Sequence, residues 1–122
     1  MQYTVMIYET EADFAARTDP EKCDAYWANW PPYRQALVDA GVFVGGAGLQ
    51  NPDTTTSIRL RDGRPLVQDG PFADTKEQLG GFFIIETEDL DSALRWAAKC
   101  PISEGGGVEV RPNLKACSLP SR

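Results

Sequence analysis

Gln2 to Glu9 (QYTVMIYE) is rich in β-branched and aromatic residues, and a period of two places Tyr3, Val5 and Ile7 on one face and Thr4, Met6 and Tyr8 on the other, so that both faces carry apolar side chains. That is the pattern of a strand. The segment EADFAAR fits a short helical turn. The pattern then changes to a helical one: Tyr26, Trp27, Trp30, Tyr33, Leu37 and Ala40 recur at a spacing that lines one face. Asp19 suits the N-cap of this helix and Pro20 its first position. Pro31 and Pro32 lack backbone donors and crowd the preceding turn, so a kink or break is expected near Trp30. The helix then resumes to Ala40, with Gly41 as its C-terminal cap.

VFVGGAG (Val42 to Gly48) reads as a second strand running into a glycine-rich bend. LQNP follows it in place of a helix, so the dinucleotide-binding fingerprint fails and a bulge or turn is expected. TTSIRLRDGRPLVQ reads as a hairpin, because Asp62-Gly63 favours the positive φ angles of a two-residue turn. GFFIIETE (Gly81 to Glu88) is the most apolar strand. Asp89 caps a second main helix, whose stripe is Leu90, Ala93, Leu94, Ala97 and Ala98 and which Pro101 ends. GGVEVRP (Gly106 to Pro112) is the last strand. One domain is expected over residues 1–112 and a loose tail over residues 113–122. The order β-α-β, hairpin, β-α-β predicts an α+β, ferredoxin-like sandwich with a mostly antiparallel sheet and two main helices.

This sheet is apolar on both faces, since Phe82 and Ile84 point one way and Phe83 and Ile85 the other. Two helices cover one face. The other would present an apolar patch that monomers rarely expose. A homodimer packed through that face is the expectation; the alternative is that the glycine-rich loop and the tail fold over it.

Composition narrows the partners. The net charge is −6, which disfavours nucleic acid and anionic membranes. No apolar stretch is long enough for a transmembrane helix, and the N-terminus reads as a strand rather than a signal peptide. Cys23, Cys100 and Cys117 are an odd number at wide spacing, which points to a reducing cytoplasm. Cys100, beside Pro101, is expected to be a buried apolar residue. The chain has no histidine and no Cys-x-x-Cys, so neither a metal nor a cofactor is expected. No nucleophile–base pair is visible, and no catalytic residue is assigned.

The segment VQDGPFADTKEQLGGFFIIE (Val67 to Glu86) holds the remaining candidates. Asp69 is placed to organise its own Asp-Gly-Pro turn, and Phe72 to anchor the loop in the core. Thr75 and Gln78 have capping-box spacing, so TKEQL is expected to form one helical turn ended by Gly80. Asp69, Asp74, Lys76 and Glu77 crowd this segment. Glu109 and Arg111 share one face of the last strand, and Tyr8 and Glu9 end the first. Tyr8, Asp69, Lys76, Glu77, Glu109 and Arg111 are therefore the candidate ligand-binding residues, suited to a small polar or anionic molecule. The same residues also fit solvated strand edges.

VQDGPFADTKEQLGGFFIIE, DLDSALRWAAKCP and GGVEVRP together resemble the DGPF-domain branch of the YCII-related proteins. The resemblance runs from YTVMIYE to VEVRP. It implies a ferredoxin-like fold that dimerises as an α/β barrel. It also implies a link, in some members, to extracytoplasmic-function sigma factors. A His-Asp pair has suggested enzymatic activity for some YCII-related proteins; this chain has no histidine, so that pair does not carry over. The Pro31-Pro32 pair is unusual for the family's first helix. Three functions are expected in competition: a small-molecule binding or sensing module, a histidine-independent enzyme using carboxylate acid/base chemistry (with Asp69 or another carboxylate), and a purely structural or interaction domain. The missing histidine favours the first and third.

Overall fold

The alternation read at the N-terminus becomes strand β1 (Gln2–Thr10), on which Tyr3, Val5, Ile7 and Glu9 are buried and Thr4, Met6, Tyr8 and Thr10 half-buried. The computed structural model describes residues 1–73 and 75–115. Asp74, and Cys117 with most of the expected tail, lie outside the described residues. The other strands are β2 (Phe43–Gly48), β3 (Thr56–Arg61), β4 (Arg64–Asp69), β5 (Glu77–Glu86) and β6 (Gly107–Pro112). The helices are α1 (Glu11–Ala16), α2 (Cys23–Ala28), α3 (Trp30–Asp39) and α4 (Leu90–Ala97).

The main sheet has the order β2-β5-β1-β6, antiparallel throughout, while β3 and β4 form a separate two-stranded sheet. The fold is α+β and ferredoxin-like, with the hairpin inserted between the second and third strands of the motif. One face of the main sheet carries the core. Val5, Leu37 and Ile85 are its most fully buried side chains, and Tyr33, Ala93 and Ala97 bring α3 and α4 onto it. Tyr33 also donates a 2.8 Å hydrogen bond to the Trp96 carbonyl, tying one helix to the other. Cys100 is buried here, and burial pushes its thiol pKa up.

Several local expectations change, each for a physical reason. Asp19 accepts a hydrogen bond from the Glu21 N–H at 2.8 Å and so closes a turn of its own; α2 starts only at Cys23. The break at the proline pair is real. Asn29 separates α2 from α3 while keeping φ −77° and ψ −30°, and the prolines occupy the first turn of α3, where their missing donors have no helical partner to lose. Gly41 (φ 73°) follows α3, and the Val42 N–H reaches back to the Leu37 carbonyl at 3.1 Å, closing the end as expected. On α4 only Ala93 and Ala97 are buried; Leu90, Leu94 and Ala98 are exposed. This short helix lies on the sheet through its small residues, and its leucines flank the contact.

The expected helical turn over TKEQL does not form. Glu77, Gln78 and Leu79 instead extend β5, pairing with Thr10, Glu9 and Tyr8, because β1 offers them a backbone ladder. The register slips between Ile7 and Tyr8, which leaves Gly80 as a bulge. Phe72 is not in the core. It is 57% exposed, with the Arg59 guanidinium 4.2 Å above its ring. The β3–β4 turn forms as read, with Asp62 at φ 53° and Gly63 at φ 74°. Among the described residues no helix is long and apolar enough to cross a membrane.

The glycines of β2 differ in what they tolerate. A Cβ on Gly46 would stand 2.5 Å from the Phe82 carbonyl oxygen, whereas one on Gly45 or Gly48 meets nothing within 4 Å. Gly46→Ala is expected to lower stability by about 1–3 kcal/mol, the usual cost of overpacking, while Gly45→Ala and Gly48→Ala leave it within about 0.5 kcal/mol. Denaturant midpoints of the three variants check the contrast.

Candidate functional site

The period of β1 brings Glu9 to the buried face, where it is 4% exposed. A carboxylate there requires partners that replace water. The chain supplies them by turning back on itself. Thr10 caps α1, accepting from the Asp13 N–H while the Asp13 carboxylate accepts from the Thr10 N–H. Six residues of helix then return Arg17 over the sheet. Its Nη2 donates to Glu9 Oε2 at 2.9 Å, and both side chains are almost wholly shielded from solvent. Tyr26 of α2 donates its hydroxyl to the same carboxylate, with Oε1 at 2.6 Å and Oε2 at 2.7 Å, and accepts from Arg17 Nε at 3.1 Å.

The other guanidinium donors bind the carbonyls of Gly80 and Leu49 and the side chain of Asn51. Phe14, Trp27 and Tyr26 surround the cation with ring centres at 4.8, 5.5 and 5.6 Å. The bulge at Gly80 is part of this arrangement: a Cβ there would lie 2.8 Å from Glu9 Oε2 and 3.1 Å from Arg17 Nη2. Burial, and then the hydrogen bond to Glu9, push the Tyr26 phenol up to about 12 against a weaker opposing effect of Arg17. The phenol therefore stays protonated as the donor to Glu9.

Above this floor opens a cleft of about 300 Å³ between α2–α3 and the β2–β5 edge of the sheet. Aromatic rings line it from both sides, Trp27 and Trp30 from the helices and Phe43 and Phe83 from the sheet. Trp30 and Phe83 lie with ring planes 28° apart, and Phe43 meets Phe83 edge-on at 6.3 Å. Gly46, Ala47, Gly48 and Gly81 continue the sheet side of the cleft beside Phe43 and Phe83, and their small or missing side chains leave the space. Three ionised groups line the cleft: Glu9, Arg17 and Arg34. The first two neutralise each other. Arg34 has no ion-pair partner among the described residues; its guanidinium lies 4.8 Å above the Phe43 ring. The cleft is thus apolar with one uncompensated positive charge. Among the described residues no three His, Cys, Asp or Glu side chains are grouped to hold a metal ion.

The six residues singled out from sequence fall in three places, and none lines this cleft. Tyr8, Glu109 and Arg111 come together on the opposite, helix-free face, where Met6 pairs with Glu109 and Thr4 with Arg111. The Glu109 carboxylate beside the Tyr8 hydroxyl raises the phenol above its ordinary value, with burial adding to it. Asp69 ends β4, exposed, and Lys76 and Glu77 stand exposed at the start of β5. Lys76 borders a second, larger depression of about 690 Å³ with Glu11 and Asp53. Arg17, Tyr26 and Arg34 were not singled out. One signal was available: Glu9 continues the apolar series Tyr3, Val5, Ile7, and Arg17 is the first cationic side chain that follows it.

Removing one partner of a buried pair leaves the other charge without compensation. Arg17→Met is expected to cost about 3–5 kcal/mol in stability, measured by urea denaturation. Tyr26 sets a pH dependence. Its pKa in the fold lies above the ordinary 10.0, so its contribution is full below about pH 10 and is lost as pH rises towards 12. Between pH 9 and pH 12 the parent should lose more stability than Tyr26→Phe, as judged by paired denaturation curves.

Residues 1–115 match the family model of the YCII-related domain. An uncharacterised protein of Rhizobium meliloti (strain 1021) is 33% identical over 114 residues, an alignment that covers 92% of this chain and 91% of that protein. The extent of both matches embraces the sheet, the helices and the cleft together, and the chain belongs to the YCII-related family.

Proposed function

We propose that this chain is a small-molecule binding module of the cytoplasm that works as a homodimer, and that its ligand has a flat apolar body and one anionic group. The cleft carries this reading: its aromatic wall accepts the body, and Arg34 at its side accepts the charge. An anionic ligand fits because Arg34 is the one lining charge without a counter-ion among the described residues. Glu9 and Tyr26, the proton-exchanging groups at the floor, are bonded to Arg17 and to each other, which favours holding a ligand over transforming it. The free thiols of Cys23 and Cys100 agree with a reducing compartment. The homodimer reading rests on the half-buried Met6, Phe82 and Ile84 on the helix-free face of the sheet.

The test uses two probes of one shape, 1-naphthoate and 1-naphthalenemethanol, with binding followed by quenching of Trp27 and Trp30. The parent is expected to bind both. Arg34→Ala should weaken the naphthoate about 10- to 100-fold, the equivalent of one charge-assisted hydrogen bond, and leave the alcohol within about twofold. Failure of both probes to bind, or equal losses for the two, overturns the reading.

A further inference from the structure

Four glycines line the cleft, and the fold accounts for three of them. A Cβ on Gly46 would stand 2.5 Å from the Phe82 carbonyl oxygen, one on Gly81 2.9 Å from the Ala47 carbonyl oxygen, and one on Gly80 2.8 Å from Glu9 Oε2. Gly48 is the exception. A Cβ there meets nothing within 4 Å, and its φ is not in the positive range that favours glycine. A glycine inside a strand gives up side-chain packing and adds backbone entropy to the unfolded chain; where the fold does not require it, it often marks the close approach of another molecule. The register fixes the direction of the missing side chain. Gly48 pairs with Gly81, Gly46 with Phe83 and Phe43 with Ile85, while Gly81 in turn pairs with Ile7. Paired residues share a face, so position 48 projects with Ile7 and Phe83, both of which line the cleft. The backbone here is held by its neighbours: the Leu49 N–H donates to the Gly80 carbonyl at 2.9 Å, and the Leu49 carbonyl accepts from Arg17. The bare Cα of Gly48 is therefore a fixed part of the cleft surface.

We propose that Gly48 sets the size of the ligand body, which consists of two fused aromatic rings, the outer one lying on this glycine. The inference rests on the cleft reading above and names the class of ligand: fused bicyclic aromatic carboxylates in preference to single-ring ones. The aromatic residues mark the place of the first ring. Trp30, Phe43 and Phe83 form one cluster and the Arg34 guanidinium lies over Phe43, so the carboxylate and the ring that bears it belong there. Gly81 and Gly48 lie two residues along their strands from Phe83 and Gly46, roughly 7 Å on. No side chain rises from the sheet at that pair, so a second ring fused to the first continues over the backbone without displacing protein. A single ring would leave the strip to water. The cleft, at about 300 Å³, is at the small end for ligand pockets, which sets the upper limit on the body. A side chain at position 48 would occupy the strip without disturbing the fold, and that makes the position a selector of ligand size.

The test compares 1-naphthoate with benzoate on the full chain, by titration calorimetry. The parent is expected to bind the naphthoate about tenfold or more tightly than benzoate. Gly48→Ala puts a methyl group into the strip. It should weaken the naphthoate about tenfold and leave benzoate within about twofold, since one carbon more or less in an apolar pocket discriminates by about 10- to 200-fold. Gly45→Ala makes the same change on the opposite face of β2, where Gly45 pairs with Ile84, and should alter neither. A parent that binds neither probe overturns the cleft reading and this inference with it. A parent that binds the naphthoate while Gly48→Ala binds it as tightly overturns the role of Gly48 alone. Equal losses for the two probes, or a parent that binds benzoate as tightly as the naphthoate, do the same. A Gly48→Ala variant destabilised as far as Gly46→Ala shows a glycine held by the fold, and overturns the inference as well.

Discussion

The ion pair of Glu9 and Arg17 is the constraint on which the arrangement of this molecule turns. A strand can bury a carboxylate at its end only if cationic and neutral donors reach it, and here they come from the two segments that follow in the chain. The consequences spread outward. Thr10 must stop the strand and start α1 at once, so that Arg17 returns over the sheet within a single short helix. α2 must lie close enough for Tyr26 to complete the carboxylate's shell. β5 must present a carbonyl without a side chain in the way, which a bulge at Gly80 provides. Arginine rather than lysine fits this position, because its fork serves Glu9, Tyr26, Gly80, Leu49 and Asn51 at the same time.

The cleft follows from the same geometry. The pair pins α1 and α2 at the β1 end of the layer, while α3 is pinned at the other end by Tyr33 and Leu37. Pro31 and Pro32 shift the phase between α2 and α3, and β2 brings glycines where a larger residue would fill the space between helix and sheet. The outcome is a slot with aromatic rings on both the helix and the sheet side, and bare backbone beside Phe43 and Phe83 on the sheet. Its electrostatics are equally determined. Because Glu9 and Arg17 cancel, the character of the slot is set by Arg34, which sits on the outer turn of α3 over an aromatic ring and keeps its charge near solvent.

Much of this was legible from the residues. The alternation in QYTVMIYE, the positive-φ pair Asp62-Gly63, the break at Pro31-Pro32 and the two-faced strand GFFIIE each rest on a local rule, and each holds in the fold. Two of the failures share one cause. TKEQL has helix-capping chemistry, but pairing with Tyr8–Thr10 of β1 outcompetes it, and those residues are some seventy positions away in sequence. Phe72 reads as an anchor by composition, yet the hairpin beside it is not part of the main sheet, so no core lies within its reach. The cleft was invisible for a similar reason. Charged groups near the DGPF segment attract notice because they cluster in sequence, whereas Glu9, Arg17, Tyr26 and Arg34 are dispersed and meet only through the fold.

The absence of histidine bears on this division of the molecule. With no imidazole, the ionisable side chains near the cleft are carboxylate, phenol and guanidinium, and the phenol is held protonated by its burial against Glu9. The Glu9 carboxylate, the Tyr26 phenol and the Arg17 guanidinium are bonded to one another. With Glu9 and Arg17 paired, the lining charge without an ion-pair partner among the described residues is Arg34, beside the aromatic rings. The helix-free face is organised differently: Tyr8, Glu109 and Arg111 are spread among Met6, Phe82 and Ile84, a mixture of apolar surface with a few oriented polar groups. One side of the sheet is therefore enclosed and aromatic, the other open and broad. The proposed ligand and partner follow that asymmetry, since enclosure rewards a small flat molecule and an open sheet rewards area.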